Sequence, residues 1–419
     1  MDYPRSPRSS PSPIYEHIDD VERLDYYRPQ GYYPIQIDDN LHNRYRVVHK
    51  LGYGASSTIW LARDRALSRY VAVKVGTADS DQKEVEILSR LRDEKPWRDF
   101  LPPILDRFSV HSPNGNHPCF VTTPARCSLA DTKEASGSRL FQLPVARSLS
   151  AQLVMAVAYI HKQGLVHGDL HMGNILLRLP STLDQLSEEE LYNKFDPPDP
   201  EPVRRADGKP LPPGVPQHVF PPIWLGHASE KALLSESKIL LSDFGTAFWP
   251  AKESRLQSYT PLEIRPPEAR FEPTAPLSFP SDIWSLACTL WAIVGQRSFL
   301  DSFLLGQDDA TCDQVDALGP LPPEWWEKWE ARSKSFTEDG RPKEGRYPWS
   351  WDQRFQDSIQ QPRSDKGMEI LDEEEKKAFC EMMRWMLAFR PCDRPTAQQV
   401  LEAAWMRDYA SPEFKKMHE

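Results

Sequence analysis

The spacing of apolar residues changes along the chain. From Gly31-Tyr32-Tyr33-Pro34-Ile35 to Arg44-Tyr45-Arg46-Val47-Val48, and again in Val71-Ala72-Val73-Lys74, apolar and polar positions alternate with the period of two that predicts strands. At Glu84-Val85-Glu86-Ile87-Leu88 the spacing turns helical, and His117-Pro118-Cys119-Phe120-Val121-Thr122-Thr123-Pro124 reads as one more strand. Beyond it helices dominate. Leu149, Leu153, Ala156, Val157 and Ile160 form a core stripe within Pro144–His161, an apolar helix covers Ile283–Val294, and Glu373–Leu387 and Ala397–Met406 predict two closing helices. Ile239-Leu240-Leu241-Ser242 stands apart as a short buried strand.

Two stretches have neither period. The chain starts with a Pro/Ser/Arg run, Met1 to Pro13, too poor in apolar surface to offset its ordering entropy, so residues 1–30 are expected to be a flexible tail with candidate phosphorylation sites at Arg5-Ser6 and Arg8-Ser9. Between Leu179 and Lys238 lies Pro- and acid-rich sequence, including Ser187-Glu188-Glu189-Glu190-Leu191, Asp196-Pro197-Pro198-Asp199-Pro200 and Pro212-Pro213-Gly214-Val215-Pro216. A loop of that length reads as a functional or disordered spacer at about residues 180–237, with Pro221-Pro222-Ile223-Trp224-Leu225 able to dock back on a folded lobe. Many of the 40 prolines fall in these segments.

Charge and cysteine usage narrow the partners. Fifty-one basic and 61 acidic side chains give a net charge of −10, which disfavours nucleic acid as the main partner and either suits a basic protein substrate or merely keeps the protein soluble. The six cysteines show no C-x-x-C spacing and read as reduced thiols of a cytosolic or nuclear protein. No apolar signal core is visible and no stretch reads as a membrane span, so neither secretion nor membrane insertion is expected.

The chemistry centres on His167-Gly168-Asp169-Leu170-His171-Met172-Gly173-Asn174, followed by Ile175-Leu176-Leu177 and, well downstream, by Asp243-Phe244-Gly245. An Asp five residues ahead of an Asn, then an Asp-Phe-Gly turn, supplies what phosphoryl transfer from Mg-ATP requires. Asp169 would face the acceptor hydroxyl, and Asn174 and Asp243 would hold magnesium. So short a motif recurs by chance, and its weight comes from what stands around it in order. Upstream is Leu51-Gly52-Tyr53-Gly54-Ala55-Ser56-Ser57-Thr58-Ile59, where Gly52 and Gly54 let the backbone approach the ATP phosphates, Ser57 fills a third glycine position and Ile59 would pack on the adenine. Lys74 ends a strand at the right distance to reach the α and β phosphates and needs a carboxylate to hold it. Glu84 is the candidate and Glu86 the alternative about half a turn round the helix. Thr122 would border the back of the adenine pocket, and His167 reads as a structural residue beside Phe244.

Downstream, Pro266-Pro267-Glu268 fills an Ala-Pro-Glu position, with Glu268 expected in a buried ion pair with Arg394. Asp282 heads the apolar helix and is expected to cap the catalytic-loop backbone. Small-molecule kinases lack these features, which favour an α+β, bilobal protein-kinase fold with a small β-rich lobe and a large, mainly helical one. Asp308, Asp309, Asp313 and Asp316 form an acidic cluster that either binds substrate arginines or is a solvated loop face.

Two residues depart from the protein-kinase pattern. Gly168 replaces the arginine that usually precedes the catalytic Asp, so no cation there awaits a phosphorylated activation loop. His171 stands where protein kinases usually place a lysine, and His-Gly-Asp-x-His-x-x-Asn is also how aminoglycoside and choline kinases spell this loop. A small-molecule kinase is therefore one alternative. A pseudokinase scaffold is the other, although the loss of Lys74, Asp169, Asn174 or Asp243 would have been its signature and all four are present.

From about Gly31 onward the chain resembles the SR-protein kinases, especially their fungal relatives, in Gly31-Tyr32-Tyr33-Pro34-Ile35, Gly52-Tyr53-Gly54, Ser56-Ser57-Thr58-Ile59-Trp60-Leu61-Ala62 and Ser281-Asp282-Ile283-Trp284-Ser285-Leu286-Ala287-Cys288. Serine in place of the third glycine and a spacer splitting the large lobe are both characteristic of that family. The resemblance implies a serine/threonine kinase of Arg-Ser repeats in splicing factors, using ATP and Mg2+ and active without activation-loop phosphorylation. Cytoplasmic and nuclear residence would be governed by the spacer. By position it implies Asp169 as the catalytic carboxylate, Lys74 and Glu84 as the ion pair, and Asn174 and Asp243 as metal ligands. The expected layout is a tail at 1–30, a small lobe at 31–125, a large lobe at 126–410 interrupted by the spacer, and a C-terminal tail at 411–419. A monomer acting on proteins, with no direct contact to nucleic acid or membrane, is expected.

Overall fold

The alternating stretches pair into a six-stranded antiparallel sheet in the order Asn40–Leu41, Tyr45–Gly54, Ser57–Asp64, Arg69–Gly76, Gly115–Thr122 and Asp106–Ser112. Period two sends neighbouring side chains to opposite faces. Val47, Trp60, Ala62, Val71 and Val73 bury on one face together with Ile35, Cys119 and Val121, while Val48, Leu61 and Tyr70 bury on the other. The computed structural model describes residues 13–91, 95, 97–300 and 306–417, and the chain divides into two units. The sheet lies in the first, made of residues 1–85, 103–124 and 179–225.

Residues 179–225, read from composition as a spacer, thus group with the sheet. Phe220 joins the core on one face and Leu183 and Leu191 the core on the other. Ser187 and Glu190 form a capping box that starts the helix Glu188–Phe195. Tyr192 Oη donates to the Val48 carbonyl at 2.9 Å, the Tyr70 N–H donates to Asp184 Oδ1 at 2.7 Å, and Arg46 pairs with Glu188. Apolar residues spaced among the prolines provide this docking surface, and an average over the segment hides them.

The segment before Gly31 behaves alike. Tyr15, Leu24, Tyr27 and Tyr32 bury against Val203, Val215 and Val219 of the insertion, and the Glu16 N–H donates to the Arg204 carbonyl at 2.9 Å. The entropic argument for a tail applies to the Pro/Ser/Arg run, whereas the tyrosines that follow carry enough apolar area to dock. Arg5, Ser6, Arg8 and Ser9 lie outside the described residues.

The second unit, residues 86–102, 125–178 and 226–419, is mainly helical. Its long helix is Leu143–Lys162, and Phe279–Val294 and Glu373–Met386 are further helices of the unit. Leu143–Lys162 is long and apolar enough to cross a membrane by length and composition, which corrects the reading that no stretch is. Here it is a core helix: Leu149, Leu153, Ala156, Val157 and Ile160 have no exposed surface. Gln152 on it accepts from the Ile239 N–H at 3.1 Å and donates to the Ser237 carbonyl at 2.8 Å, tying the helix to the short strand Ile239–Leu241. That strand pairs antiparallel with Ile175–Arg178, which pairs with Ala125–Ser128.

Glu268 and Arg394 form the expected buried pair, bidentate at 2.8 and 2.7 Å, and the guanidinium also donates to the carbonyls of Ala388, Pro280 and Phe389. Most of the acidic cluster serves the fold. On the helix Gln307–Leu318, Asp308 pairs with Arg270, Asp313 with Arg354 and Asp316 with Arg346, while Asp309 caps the helix by accepting from the Gly306 N–H.

Candidate active site

Within the first unit the glycine motif is a hairpin, with Gly52 opposite Ile59, Tyr53 opposite Thr58 and Gly54 opposite Ser57. Ile59 is in turn the cross-strand partner of Lys74, which places the candidate nucleotide residues Leu51 to Ile59 and Lys74 on adjacent strands. Lys74 Nζ meets Glu84 Oε2 at 2.6 Å. Glu86, two residues on and so on another side of the helix Lys83–Arg90, pairs with Arg90 at 3.4 Å. The hydroxyls of Thr122 and Thr123 are buried without a hydrogen-bond partner. Such groups are satisfied by a ligand's polar edge or by water.

Within the second unit the catalytic loop is tied down by one buried carboxylate. Asp282, 2% exposed, accepts from the His167 N–H at 2.7 Å and the Gly168 N–H at 2.9 Å, and its Oδ2 lies 2.9 Å from His161 Nε2. His167 is fully buried; its ring packs edge-on against Phe244 with centroids 4.9 Å apart, and its Nε2 lies 3.0 Å from the Ser242 carbonyl. Asn174 donates through Nδ2 to the Asp169 carbonyl at 2.9 Å, which leaves its Oδ1 for another partner.

Strand pairing brings Asn174 and Asp243 to the same end of the short sheet. Ile175 is paired with Leu241, so the residues just outside that pair are neighbours, and the Ser242 N–H and Oγ both donate to the Asn174 carbonyl at 2.9 Å. Asp243 has a left-handed backbone, φ 60°, a costly conformation for a residue with a side chain and one retained where the surroundings impose it. Two side-chain oxygen donors at one strand end suit a hard cation that takes its remaining ligands from water and phosphate. Among the described residues no group of three or more His, Cys, Asp or Glu is arranged to hold a metal unaided. Asp169 Oδ1 is buried without a hydrogen-bond partner, an acceptor left open at the position where a substrate hydroxyl would need one.

The two departures have structural explanations. Gly168 adopts φ +78°, and a Cβ there would lie 3.3 Å from the Thr246 carbonyl oxygen, so the backbone itself asks for glycine. His171 Nδ1 accepts from the Gly173 N–H at 3.1 Å. That puts the ring proton on Nε2, 3.6 Å from Asp169 Oδ2. Arg255, which no sequence signal marked, donates to the Thr246 carbonyl at 3.2 Å, pairs with Glu253 at 2.6 Å and lies over the Phe248 and Tyr259 rings at 5.0 and 5.3 Å. The segment after Asp-Phe-Gly therefore carries its own internal cation.

Residues 45–183 match the protein kinase domain family. Over 90% of this chain and 98% of the other, the fold superposes on the crystal structure of another kinase domain with a TM-score of 0.62 at 18% identity. The family match and the fold are those of a protein kinase domain, and the relatives that align along nearly the whole chain are serine/threonine protein kinases. A serine/threonine protein kinase of Aspergillus fumigatus is 26% identical over 96% of this chain and 95% of its own length. The serine/threonine-protein kinase SRPK of Physarum polycephalum is 25% identical over 92% and 91%. The similarity is thus to fungal serine/threonine kinases and to a kinase of the SR-protein type, along nearly the whole chain.

Proposed function

We propose that the protein transfers the γ-phosphoryl group of ATP to serines in Arg-Ser-rich proteins such as splicing factors. One observation carries the transfer reading: Asp169 presents a buried, unpaired Oδ1 in a loop whose backbone is fixed by Asp282 on one side and Asn174 on the other. Asp169 then orients the acceptor hydroxyl, while Lys74, held by Glu84, and the hairpin Leu51 to Ile59 bind the ATP phosphates. Asn174 and Asp243 would hold magnesium, which supplies neutralisation of charge on the transferring phosphoryl group. The likeness to SR-protein kinases and the net charge of −10 support a basic, Arg-Ser-rich acceptor, and a monomer that works in both cytoplasm and nucleus is proposed with it. The internal cation Arg255 and the glycine conformation at Gly168 support activity without activation-loop phosphorylation.

The test is mass spectrometry of an Arg-Ser repeat peptide and of a basic control peptide, each incubated with the protein, ATP and magnesium, with Lys74→Ala as blank. Phosphoserine on the repeat peptide alone is the expected result. Transfer to an aminoglycoside or choline, with neither peptide modified, would replace the reading by that of a small-molecule kinase.

A further inference from the structure

The tip of the glycine hairpin is held from outside the hairpin. Tyr32 Oη donates to the Gly54 carbonyl at 2.7 Å and lies 3.3 Å from that of Ala55. The Thr77 N–H donates to the Ser56 carbonyl at 2.9 Å, and the residues beyond Thr77 are in turn tied to the N-terminal segment. Ala78 and Asp79 donate to the carbonyls of Gly31 and Gln30 at 3.0 and 3.1 Å. The carbonyls of Gly54 and Ser56 thus have donors in place, with that of Ala55 beside the Tyr32 hydroxyl.

Tyr32 is itself fixed. It is 2% exposed, its ring packs against those of Tyr26 and Tyr27 with centroids 5.9 and 5.5 Å apart, and its N–H donates to the Tyr26 carbonyl at 3.0 Å. Its carbonyl accepts from Asn114 Nδ2 at 2.7 Å, and the same amide nitrogen donates to the Gly214 carbonyl of the insertion at 2.7 Å. Both ends of this set are constrained to glycine: a Cβ on Gly31 would lie 1.7 Å from the Tyr26 carbonyl oxygen, and Gly214 has a φ of +89° that side chains rarely adopt. A continuous set of hydrogen bonds therefore runs from the insertion at Gly214, through Asn114 and Tyr32, to Gly54.

We propose that Tyr32 is a positioning residue for the nucleotide, its hydroxyl fixing the glycine-loop tip, and that Asn114 couples this hold to the insertion through Gly214. The proposal rests on the kinase reading. Around Gly52 and Gly54 a Cβ would meet nothing within 4 Å, so the hairpin has room to move, and an unheld tip must be ordered when ATP binds. Holding it beforehand lowers that ordering cost. The effect belongs to ATP affinity and not to the transfer step.

Tyr32→Phe keeps the ring and removes only the hydroxyl. It is expected to raise both the KM for ATP and the Kd of Mg-ATP about three- to tenfold, the usual worth of one hydrogen bond, with kcat within about twofold and the peptide KM unchanged. Asn114→Ala should move ATP affinity in the same direction. Tyr192→Phe is the control, because its hydroxyl serves the same sheet at Val48 and not the tip; it should lower Tm and leave the ATP constants alone. The proposal is overturned if Tyr32→Phe changes only Tm or kcat, or if Tyr192→Phe weakens ATP equally. A wild-type protein that binds ATP but phosphorylates nothing would defeat the kinase reading while the binding comparison still decides the role of Tyr32. One that binds no ATP would overturn both.

Discussion

The catalytic loop and the glycine loop are held in place by different physics. The catalytic loop is fixed by a buried carboxylate, Asp282, on one of the most apolar helices of its unit. The glycine loop is fixed by neutral hydrogen bonds from Tyr32, whose segment is docked by apolar contacts, and from Thr77, whose following residues hydrogen-bond to that same segment. Hydrogen bonds to a buried charge are the stronger kind, and a loop that must keep a carboxylate oriented through the reaction benefits from that rigidity. A loop that must admit and release nucleotide is better served by single neutral bonds of about 1 kcal/mol each.

Four substitutions would break or sharpen this contrast, starting with the most damaging. Asp243→Ala removes a metal ligand and is expected to reduce phosphate incorporation into an Arg-Ser repeat peptide to below about 1% of wild type; full activity would remove Asp243 from the metal site. Asp282→Ala leaves the His167 and Gly168 N–H groups buried without their acceptor. It should cost roughly 2–4 kcal/mol in denaturant unfolding and lower kcat as well, while a stability loss without any effect on kcat would show that the loop keeps its shape unaided.

The third concerns the strand that leads into the glycine loop. Burial pushes the His49 imidazole down to about 4, against roughly 6.5 in an unfolded chain. Between these values the unfolded chain takes up a proton that the folded chain refuses. Stability from this site is complete above about pH 6.5 and is lost as the pH falls towards 4, by up to roughly 3 kcal/mol. Melting curves at pH 7.5, 5.5 and 4.5 should show a drop that is shallower in His49→Leu; equal slopes would exclude His49 as the cause. The mildest change is Glu188→Gln, which weakens a partly exposed pair with Arg46. A loss of about 1 kcal/mol or less is expected with kcat unchanged, and any larger effect on turnover would mean that the insertion acts on the site by more than docking.

Much of the candidate site could be read directly, because phosphoryl transfer demands particular residue types at fixed spacings. Lys74, Asp169, Asn174 and Asp243 are named by motif alone, and helical spacing offered Glu84 with Glu86 as the alternative, of which the structure places Glu84 2.6 Å from Lys74. Asp282 and the Glu268–Arg394 pair were legible for the same reason. Arg255 was not, since an arginine in an irregular segment has no period or spacing to mark it. Gly168 looked like a lost arginine until its φ of +78° and the nearby Thr246 carbonyl gave it a conformational reason.

By itself the sequence determined the main strands and helices around the motifs and the identity of the candidate reacting groups, because local periodicity and chemical motifs are written in neighbouring residues. Only the tertiary structure decided where the proline-rich insertion and the N-terminal segment go. Their composition averages to that of a loop, yet Tyr15, Leu24, Leu183, Leu191 and Phe220 bury with residues up to about two hundred positions away. Such docking depends on which apolar side chains meet in space, a property that no window of the sequence contains.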